Sequence, residues 1–564
     1  MSKYLVVGGV AGGMSTAARI KRLDPKAEVI VYEKGPHVSY SNCCLPYHLS
    51  GLIEPAEKLI LMTPEKLKAQ YNLNVFTNSE VIDIDPKAKK ITVKDTVKGE
   101  ESKESYDYLI LSPGAKPIKP QSIEGIHGDN VFTIRNVVDI DALKQYLETQ
   151  NIKKVAVIGG GFIGIEACEN LVEGNFEVSM IEASNQVMGP FDYDMVQILH
   201  KELVDHGVEL VVEDGLEKIE DKKIILQSGK ELEAEAVVLA IGVSPDTALA
   251  KKAGLEIGET GGILVNHHYQ TSDPHIYAVG DAIEVTHLQT QKKTKLALAG
   301  PAQRQARAAA DHIYGKRTIN KGVIGSSVVQ CFSLNAARTG LNEKEIQKEG
   351  IEYDFSYVIP MDKVGLMPDK NPIFLKLIFQ VPTGKILGAQ AIGKGNVEKR
   401  IDVVAAMITM GADIEDLKEL ELCYAPPFST AKDPVNMAAI VAENLLQGEF
   451  KQVHVDQVRK LWEKGATIID VREPGEYEQS HIKGVENIPL SEFRERLDEI
   501  PKDEPVYLHC RSGQRSYFVT NELTKLGWTN VYNVAGSYLG ICLYEYYNDQ
   551  RLHREKIVTE YNFN

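Results

Sequence analysis

Twice in this chain an apolar run leads into a glycine-rich turn, a helical stretch, a second apolar run and a closing glutamate. No other feature limits the possible folds as much. The first copy places Gly8-Gly9-Val10-Ala11-Gly12-Gly13 after a strand over 3–8 and before a helix over 12–23, with a second strand over 28–33 that ends at Glu33. The second copy runs from Lys154-Val155-Ala156-Val157-Ile158 through Gly159-Gly160-Gly161-Phe162-Ile163-Gly164 and a helix over 162–174 to Val178-Ser179-Met180-Ile181-Glu182. Glycine suits such turns because the backbone must bend tightly, approach a pyrophosphate and let helix pack on strand, while free N–H groups at the helix start stabilise the anion. Each copy therefore predicts a βαβ unit that holds a dinucleotide, and the fold class is α/β with two Rossmann-like nucleotide-binding domains. The first copy departs from the pattern by placing Val10 at the middle glycine. Glu182 reads as the acceptor for a ribose 2′-OH. Its charge repels a 2′-phosphate and no Arg follows in Ala183-Ser184-Asn185, so NADH is expected over NADPH.

At 564 residues the chain exceeds what one core serves, and several domains are expected. We expect a discontinuous FAD-binding domain over 1–150 and 245–325, an NAD-binding domain over 151–244, an α+β packing or oligomerisation domain over 326–446, and a last α/β domain over 447–564. That last boundary is placed where Gln447-Gly448-Glu449-Phe450 interrupts a helical pattern. A formal charge of −16 argues against non-specific binding to nucleic acid or anionic lipid. No apolar stretch approaches the ~20 residues of a membrane span. Met1-Ser2-Lys3 runs straight into Tyr4-Leu5-Val6-Val7, which leaves no room for a signal peptide. Seven cysteines, an odd and sparse count, argue against a disulfide scaffold, and a cytoplasmic location is expected. No metal site is expected.

Three further stretches carry a family resemblance. Thr271-Ser272-Asp273-Pro274-His275-Ile276-Tyr277-Ala278-Val279-Gly280-Asp281 reads as a strand ending in Gly-Asp. Tyr108-Leu109-Ile110-Leu111-Ser112-Pro113-Gly114-Ala115 and its echo Val237-Val238-Leu239-Ala240-Ile241-Gly242 read as strand-to-loop crossovers, and Ser39-Tyr40-Ser41-Asn42-Cys43-Cys44-Leu45-Pro46-Tyr47 surrounds a candidate redox cysteine. In these stretches the chain resembles the pyridine nucleotide-disulfide oxidoreductase family. The resemblance implies FAD in the first unit, with Asp281 on the ribityl chain and Glu33, Asn42, Ser112, Gly114, Arg135 and Ala299 around it. It also implies NADH in the second, with Gly242 beside it, and a hydride path from NADH through FAD to Cys43. The glutathione-reductase type carries a second cysteine five residues after the first, where this chain has His48. The sequence is closer to the single-cysteine branch, Ser-x-x-Asn-Cys-Gly-Leu-Pro-Tyr, which includes coenzyme A disulfide reductases, NADH oxidases and NADH peroxidases. Cys44 stands where that branch has glycine and reads as a structural thiol.

The same resemblance implies coenzyme A contacts at Arg19, Arg22, Ser39 and Asn42. Arg19 and Arg22 share a helix face and could equally complement the helix dipole. Tyr424-Ala425-Pro426-Pro427-Phe428-Ser429-Thr430-Ala431-Lys432-Asp433-Pro434 resembles the interface signature of these reductases, which makes Tyr424 and Lys432 candidate substrate contacts across a homodimer; Leu366-Met367 replaces a Tyr-Tyr pair found in many relatives. The last domain resembles rhodaneses, through Asp470-Val471-Arg472-Glu473-Pro474-Gly475-Glu476-Tyr477 and the loop Cys510-Arg511-Ser512-Gly513-Gln514-Arg515. There Cys510 is expected to carry a persulfide on a ring of N–H groups, with Arg515 among the substrate contacts. Together these features imply NADH-dependent reduction of a persulfide or polysulfide, on coenzyme A or another small thiol, through Cys43 with sulfur relay by Cys510. Reduction of coenzyme A disulfide, of peroxide or of oxygen are alternatives within the same class. A sulfurtransferase or redox-sensing binding protein is the alternative from another.

Overall fold

The computed structural model describes residues 2–563, which divide into two units: 2–184 with Val211–Val323, and Asn185–Leu210 with 324–563. In the first, β1 (Lys3–Val7), β2 (Glu28–Tyr32), β3 (Asn74–Phe76) and β4 (Tyr108–Leu111) form a parallel sheet in the order β3–β2–β1–β4, with the strand Ile276–Ala278 beyond β4. Tyr4, Leu5, Val6 and Val7 are all buried, as expected of an inner strand covered on both faces. Helix α1 (Ala11–Leu23) crosses from β1 to β2 and buries Met14, Ala17 and Ile20, a single stripe at helical spacing. The second copy of the motif repeats this plan. Strands β5 (Val131–Thr133), β6 (Lys154–Ile158), β7 (Glu177–Glu182) and β8 (Ala236–Leu239) run parallel in the order β7–β6–β8–β5, with α2 (Phe162–Glu173) between β6 and β7.

In the second unit, α3 (Tyr193–Asp205) accompanies an antiparallel sheet and a parallel one. The antiparallel sheet joins β9 (Ser327–Cys331), β10 (Leu334–Gly340), β11 (Tyr353–Val358), β12 (Ile373–Gln380) and β13 (Ile386–Gly393) in the order β9–β10–β13–β12–β11. Along β12, Ile373, Leu375, Leu377 and Phe379 enter the core that this sheet shares with α4 (Val397–Met410) and α5 (Pro434–Leu446). Side chains alternate across a strand, so Lys376 must leave by the opposite face. It is fully buried there, where Asp194 and Glu343 accept from its ammonium, Asp192 lies 3.2 Å away and the Phe355 ring 3.9 Å away.

Helix α5 ends at Leu446, and the parallel sheet follows, built from β14 (Gln452–Val453), β15 (Thr467–Asp470), β16 (Glu486–Asn487), β17 (Val506–His509) and β18 (Val531–Val534) in the order β14–β18–β17–β15–β16. Its helices include α6 (Pro474–Gln479), α7 (Gln514–Lys525) and α8 (Ser537–Leu552). Helix α8 lies along α3: Tyr193 donates to Asn548 at 2.7 Å, Tyr547 to the Leu210 carbonyl at 3.0 Å, and the His200 and Tyr547 rings meet edge-on. These contacts and the Lys376 cluster explain why residues 185–210, which follow β7 in the chain, pack with the second unit. No described helix is long and apolar enough to cross a membrane.

Candidate functional site

The two glycine turns are built alike. Gly8 (φ +97) and Gly159 (φ +103) adopt backbone angles that favour glycine, and a Cβ on Gly13 or Gly164 would lie 1.9 Å from the carbonyl oxygen of Gly8 or Gly159. Each turn feeds a helix whose first turn has no acidic residue and whose N-cap makes no side-chain hydrogen bond, so orphan N–H groups point toward the turn. In both copies the closing glutamate is clamped by the backbone. Glu33 accepts from Gly9 N (2.8 Å) and Gly35 N (2.9 Å), and Glu182 accepts from Gly160 N and Ser184 N (both 2.8 Å). Val10 is the N-cap of α1.

The first turn opens on a cleft of about 720 Å³, with Gly8, Gly9, Glu33, Asn42, Arg135 and Asp281 in its wall. Ala11, Gly12, Ser112 and Gly114 also line it. A Cβ on Gly12 would press on Ser112 Oγ at 2.6 Å, and one on Gly114 (φ +73) on the Arg135 guanidinium at 2.6 Å, so the small residues keep both side chains in place. Arg135 lies 3.6 Å from Asp281; burial pushes the Asp281 carboxyl up while Arg135 opposes the shift. The buried Gln305, which the sequence reading did not single out, accepts from Gly280 N at 2.7 Å and holds the Gly-Asp turn. Length, glycines, uncapped helix start and clamped carboxylate together fit a dinucleotide. Ala299 is the exposed first residue of the helix Ala299–Ile313. Around the second turn, Gly161 caps α2, Ile163 is partly exposed, and Gly242 (φ +108) accepts from Ile118 N.

Cys43 is an exposed free thiol on a short 3₁₀ turn, Asn42–Cys44, reached through Ser39, which is held at φ +49 by bonds from Ser39 N to the Gly9 carbonyl and from Leu61 N to the Ser39 carbonyl. His48 is buried, with Nδ1 against the Ile53 carbonyl at 2.8 Å, so this position serves structure. Desolvation of the sulfur, then the charges of Glu166, Cys44 and Asp281, push the Cys43 thiol up. Glu166 on α2 is itself pushed up to about 7 by burial and by Glu169. The charge state of Glu166 therefore bears on the Cys43 thiol. No motif marked Glu166, because its effect depends on tertiary burial.

The basic residues on α1 differ from each other. Arg19 is held by Asp311 (Nε 2.7 Å, Nη2 2.5 Å), whereas Arg22 is exposed. In the second unit Tyr424 and Lys432 are exposed on a loop anchored by Asp433, which is buried with Ser429 and Arg400. Phe428 and Leu366 are exposed as well. At the end of β17, Cys510 is buried, and its sulfur accepts from Gly513 N at 3.2 Å and Ser516 Oγ at 3.5 Å, while Arg515 pairs with Glu476.

Residues 2–306 match the profile of the Pyridine nucleotide-disulphide oxidoreductase family, residues 326–434 that of its dimerisation domain, and residues 454–543 that of the Rhodanese-like domain. Coenzyme A disulfide reductase of Staphylococcus epidermidis is 31% identical over 444 residues, covering 78% of this chain and all of that protein. The crystal structure of reduced Bacillus anthracis CoADR-RHD superposes with a TM-score of 0.93 at 44% identity, covering 98% of this chain and 99% of that one. An NAD-dependent persulfide reductase from A. fulgidus gives 0.91 at 35% identity, over 96% and 99%.

Proposed function

This chain belongs to the pyridine nucleotide-disulphide oxidoreductase family, and on that premise we propose that it is an FAD-containing, NADH-dependent reductase of small-thiol persulfides and coenzyme A disulfide, joined to a rhodanese-type sulfurtransferase domain. The observation that carries this reading is the coexistence in one chain of two clamped glycine turns, an exposed Cys43 thiol with His48 where a second redox cysteine would stand, and the Cys510 loop whose Gly513 N–H donates to the sulfur. The likeness to coenzyme A disulfide reductase and to the persulfide reductase supports the substrate class. We assign residues 1–150 and 245–325 to FAD binding, 151–244 to NADH binding, 326–446 to dimerisation and 447–564 to sulfur transfer. The chain acts as a cytosolic homodimer: seven free thiols suit a reducing compartment, and the exposed Leu366, Tyr424 and Phe428 suit a partner subunit.

In this reading Gly8, Gly9, Val10, Ala11, Gly12, Gly13 and Glu33 hold the adenine end of FAD, and Asp281, Arg135, Ser112, Gly114, Asn42 and Ala299 hold the remainder. Gly159, Gly161, Ile163, Gly164, Glu182 and Gly242 hold NADH. Bound FAD supplies the two-electron relay from NADH that reopens a mixed disulfide on Cys43. Cys43 provides the nucleophile: its thiolate attacks the carbon-bound sulfur of a persulfide, the S–S bond breaks, and hydrosulfide leaves with the electron pair. Arg22, Ser39 and Asn42, with Tyr424 and Lys432 from across the dimer, bind the coenzyme A handle. Arg19 contributes by positioning, since Asp311 already neutralises it.

One anaerobic experiment tests the whole scheme. With coenzyme A persulfide, wild type and Cys510→Ser should each release one sulfide per NADH consumed. With polysulfide or elemental sulfur, Cys510→Ser should lose most activity, because tethering to the relay gives sulfur an effective concentration toward the millimolar range. Equal rates for both proteins on every donor would separate the rhodanese from the reductase. Steady NADH consumption in air without a sulfur acceptor would favour an oxidase.

Coenzyme choice follows from Glu182. Removing it in Glu182→Ala should narrow the NADH-over-NADPH ratio of kcat/KM by about tenfold, the effect of one charge at contact distance in a partly wet site. A wild type that prefers NADPH would overturn the assignment.

A further inference from the structure

Taking Cys510 as the sulfur-accepting thiol, a reading on which this inference rests, the charges near its loop bear on which donors can load it. Three guanidinium groups lie in the loop or influence it, and two have a carboxylate of their own. Arg472, buried, is gripped by Asp470 through Nε at 3.0 Å and Nη2 at 2.6 Å and lies 4.0 Å from the centre of the Tyr538 ring. Arg515, the last loop residue, which also interacts with Cys510, makes a two-pronged pair with Glu476 on α6: Nη1 to Oε2 at 2.6 Å and Nη2 to Oε1 at 2.8 Å. This second pair faces solvent, with the Arg515 and Glu476 side chains 29% and 36% exposed. Arg511 donates to the Asn562 carbonyl at 3.3 Å.

The donors to Cys510 Sγ described above, a backbone N–H and a serine hydroxyl, are neutral, Ser537 Oγ lies 4.0 Å away, and Arg515 is the one charged group among these that also interacts with the sulfur. A guanidinium fork binds an oxyanion by the two parallel N–H bonds that Arg515 has already committed to Glu476. Glu476 is placed for this by α6, where it also accepts from Glu473 N in a capping box. The solvent side of the loop therefore carries a cation whose charge and bidentate face are both spent within the protein.

We propose that Glu476 sets the donor selectivity of the Cys510 site, occupying Arg515 so that the site takes sulfane sulfur from donors without an oxyanion, the hydropersulfides of small thiols and polysulfide among them, and disfavours donors that carry an oxyanion, such as thiosulfate. The two loading reactions differ in whether an oxyanion must be bound. With a hydropersulfide, the Cys510 thiolate attacks the outer sulfur of RS–SH, the S–S bond breaks, Cys510–S–SH forms, and RS⁻ leaves with the electron pair and takes up a proton from water. With thiosulfate, the same attack breaks the S–S bond and sulfite leaves with the electron pair, but the sulfonate oxygens must first find a guanidinium fork that Glu476 already occupies. Neither reaction needs an external oxidant or reductant.

The test uses the full-length holoenzyme and follows Cys510 persulfidation by intact mass, with 2-mercaptoethanol persulfide and thiosulfate as donors. Replacing the carboxylate by an isosteric amide in Glu476→Gln frees the Arg515 charge and keeps an acceptor for the cap. The ratio of thiosulfate to persulfide loading rates should rise about tenfold at low ionic strength and return toward the wild-type ratio as salt screens the freed charge. An unchanged ratio, or equal acceleration of both donors, overturns the proposal. The wild type gives a second measurement independent of how the variant folds. Its thiosulfate loading should be flat or rise with added salt, and a steep fall would reveal an uncancelled cationic approach and overturn the inference. If neither donor loads wild-type Cys510, the sulfur-transfer reading itself fails, an outcome distinct from loading without selectivity.

Discussion

Cys43→Ser is expected to lower NADH-driven reduction of coenzyme A persulfide and coenzyme A disulfide by at least about three orders of magnitude, because a serine hydroxyl cannot form the mixed disulfide through which electrons reach the substrate. Flavin content should be unchanged. The cradle formed by Gly8, Gly13 and the clamped Glu33 lies just after β1, in α1 and just after β2, whereas Cys43 stands on a separate 3₁₀ turn. The measurement is anaerobic NADH absorbance with sulfide or thiol release, beside the visible spectrum of the purified protein. Activity within tenfold of wild type would transfer the nucleophile's role to Cys44, its neighbour on the same turn. Loss of flavin together with activity would indicate a collapsed site and leave the role of Cys43 to be judged by alkylation of the wild type.

The second large effect concerns stability. Lys376 is fully buried among Asp192, Asp194 and Glu343, and its ammonium is held well into the charged state by these carboxylates despite the opposing effect of burial. Substituting methionine keeps most of the volume and removes the counter-charge, leaving buried carboxylates uncompensated, which costs about 3–5 kcal/mol in comparable buried pairs. Lys376→Met should therefore lower the midpoint of the urea transition that reports the second unit, and adding Asp194→Asn should recover part of the loss. The pH dependence has a definite sign. Burial already raises the Glu343 carboxyl above its ordinary value, with Asp192 and Asp194 adding to the shift. Without Lys376 the folded state binds protons more tightly than the unfolded chain, so the deficit should grow as pH rises from about 5 toward 8. A loss below about 1 kcal/mol at pH 8 would mean that the cluster contributes little.

Local pattern was enough to read both dinucleotide turns, because glycine spacing, strand periodicity and a closing acid act over some thirty contiguous residues. The helix expected over 12–23 is α1, Ala11–Leu23, and the one expected over 162–174 is α2, Phe162–Glu173. Cys43 and Cys510 were equally legible, since each lies inside a short motif whose residue types are set by chemistry. Arg19 was less so. Its helix face follows from periodicity, but the Asp311 that neutralises it is 292 residues away in sequence.

The sequence by itself determined the α/β class, the two nucleotide-type turns, the absence of a second cysteine five residues after Cys43 and the rhodanese-like domain, each being encoded by neighbours along the chain. Tertiary structure alone decided the pairings made across long separations. Lys376 sits in an apolar strand, and its partners Asp192 and Asp194 are the N-cap and a first-turn residue of α3, far away in sequence. Glu166 titrates near neutrality only because folding buries it beside Glu169, and Glu476 meets Arg515 only because α6 is folded against the Cys510 loop. Charge pairing and desolvation depend on distance and solvent exclusion in three dimensions, and residue order does not fix either before the chain is packed.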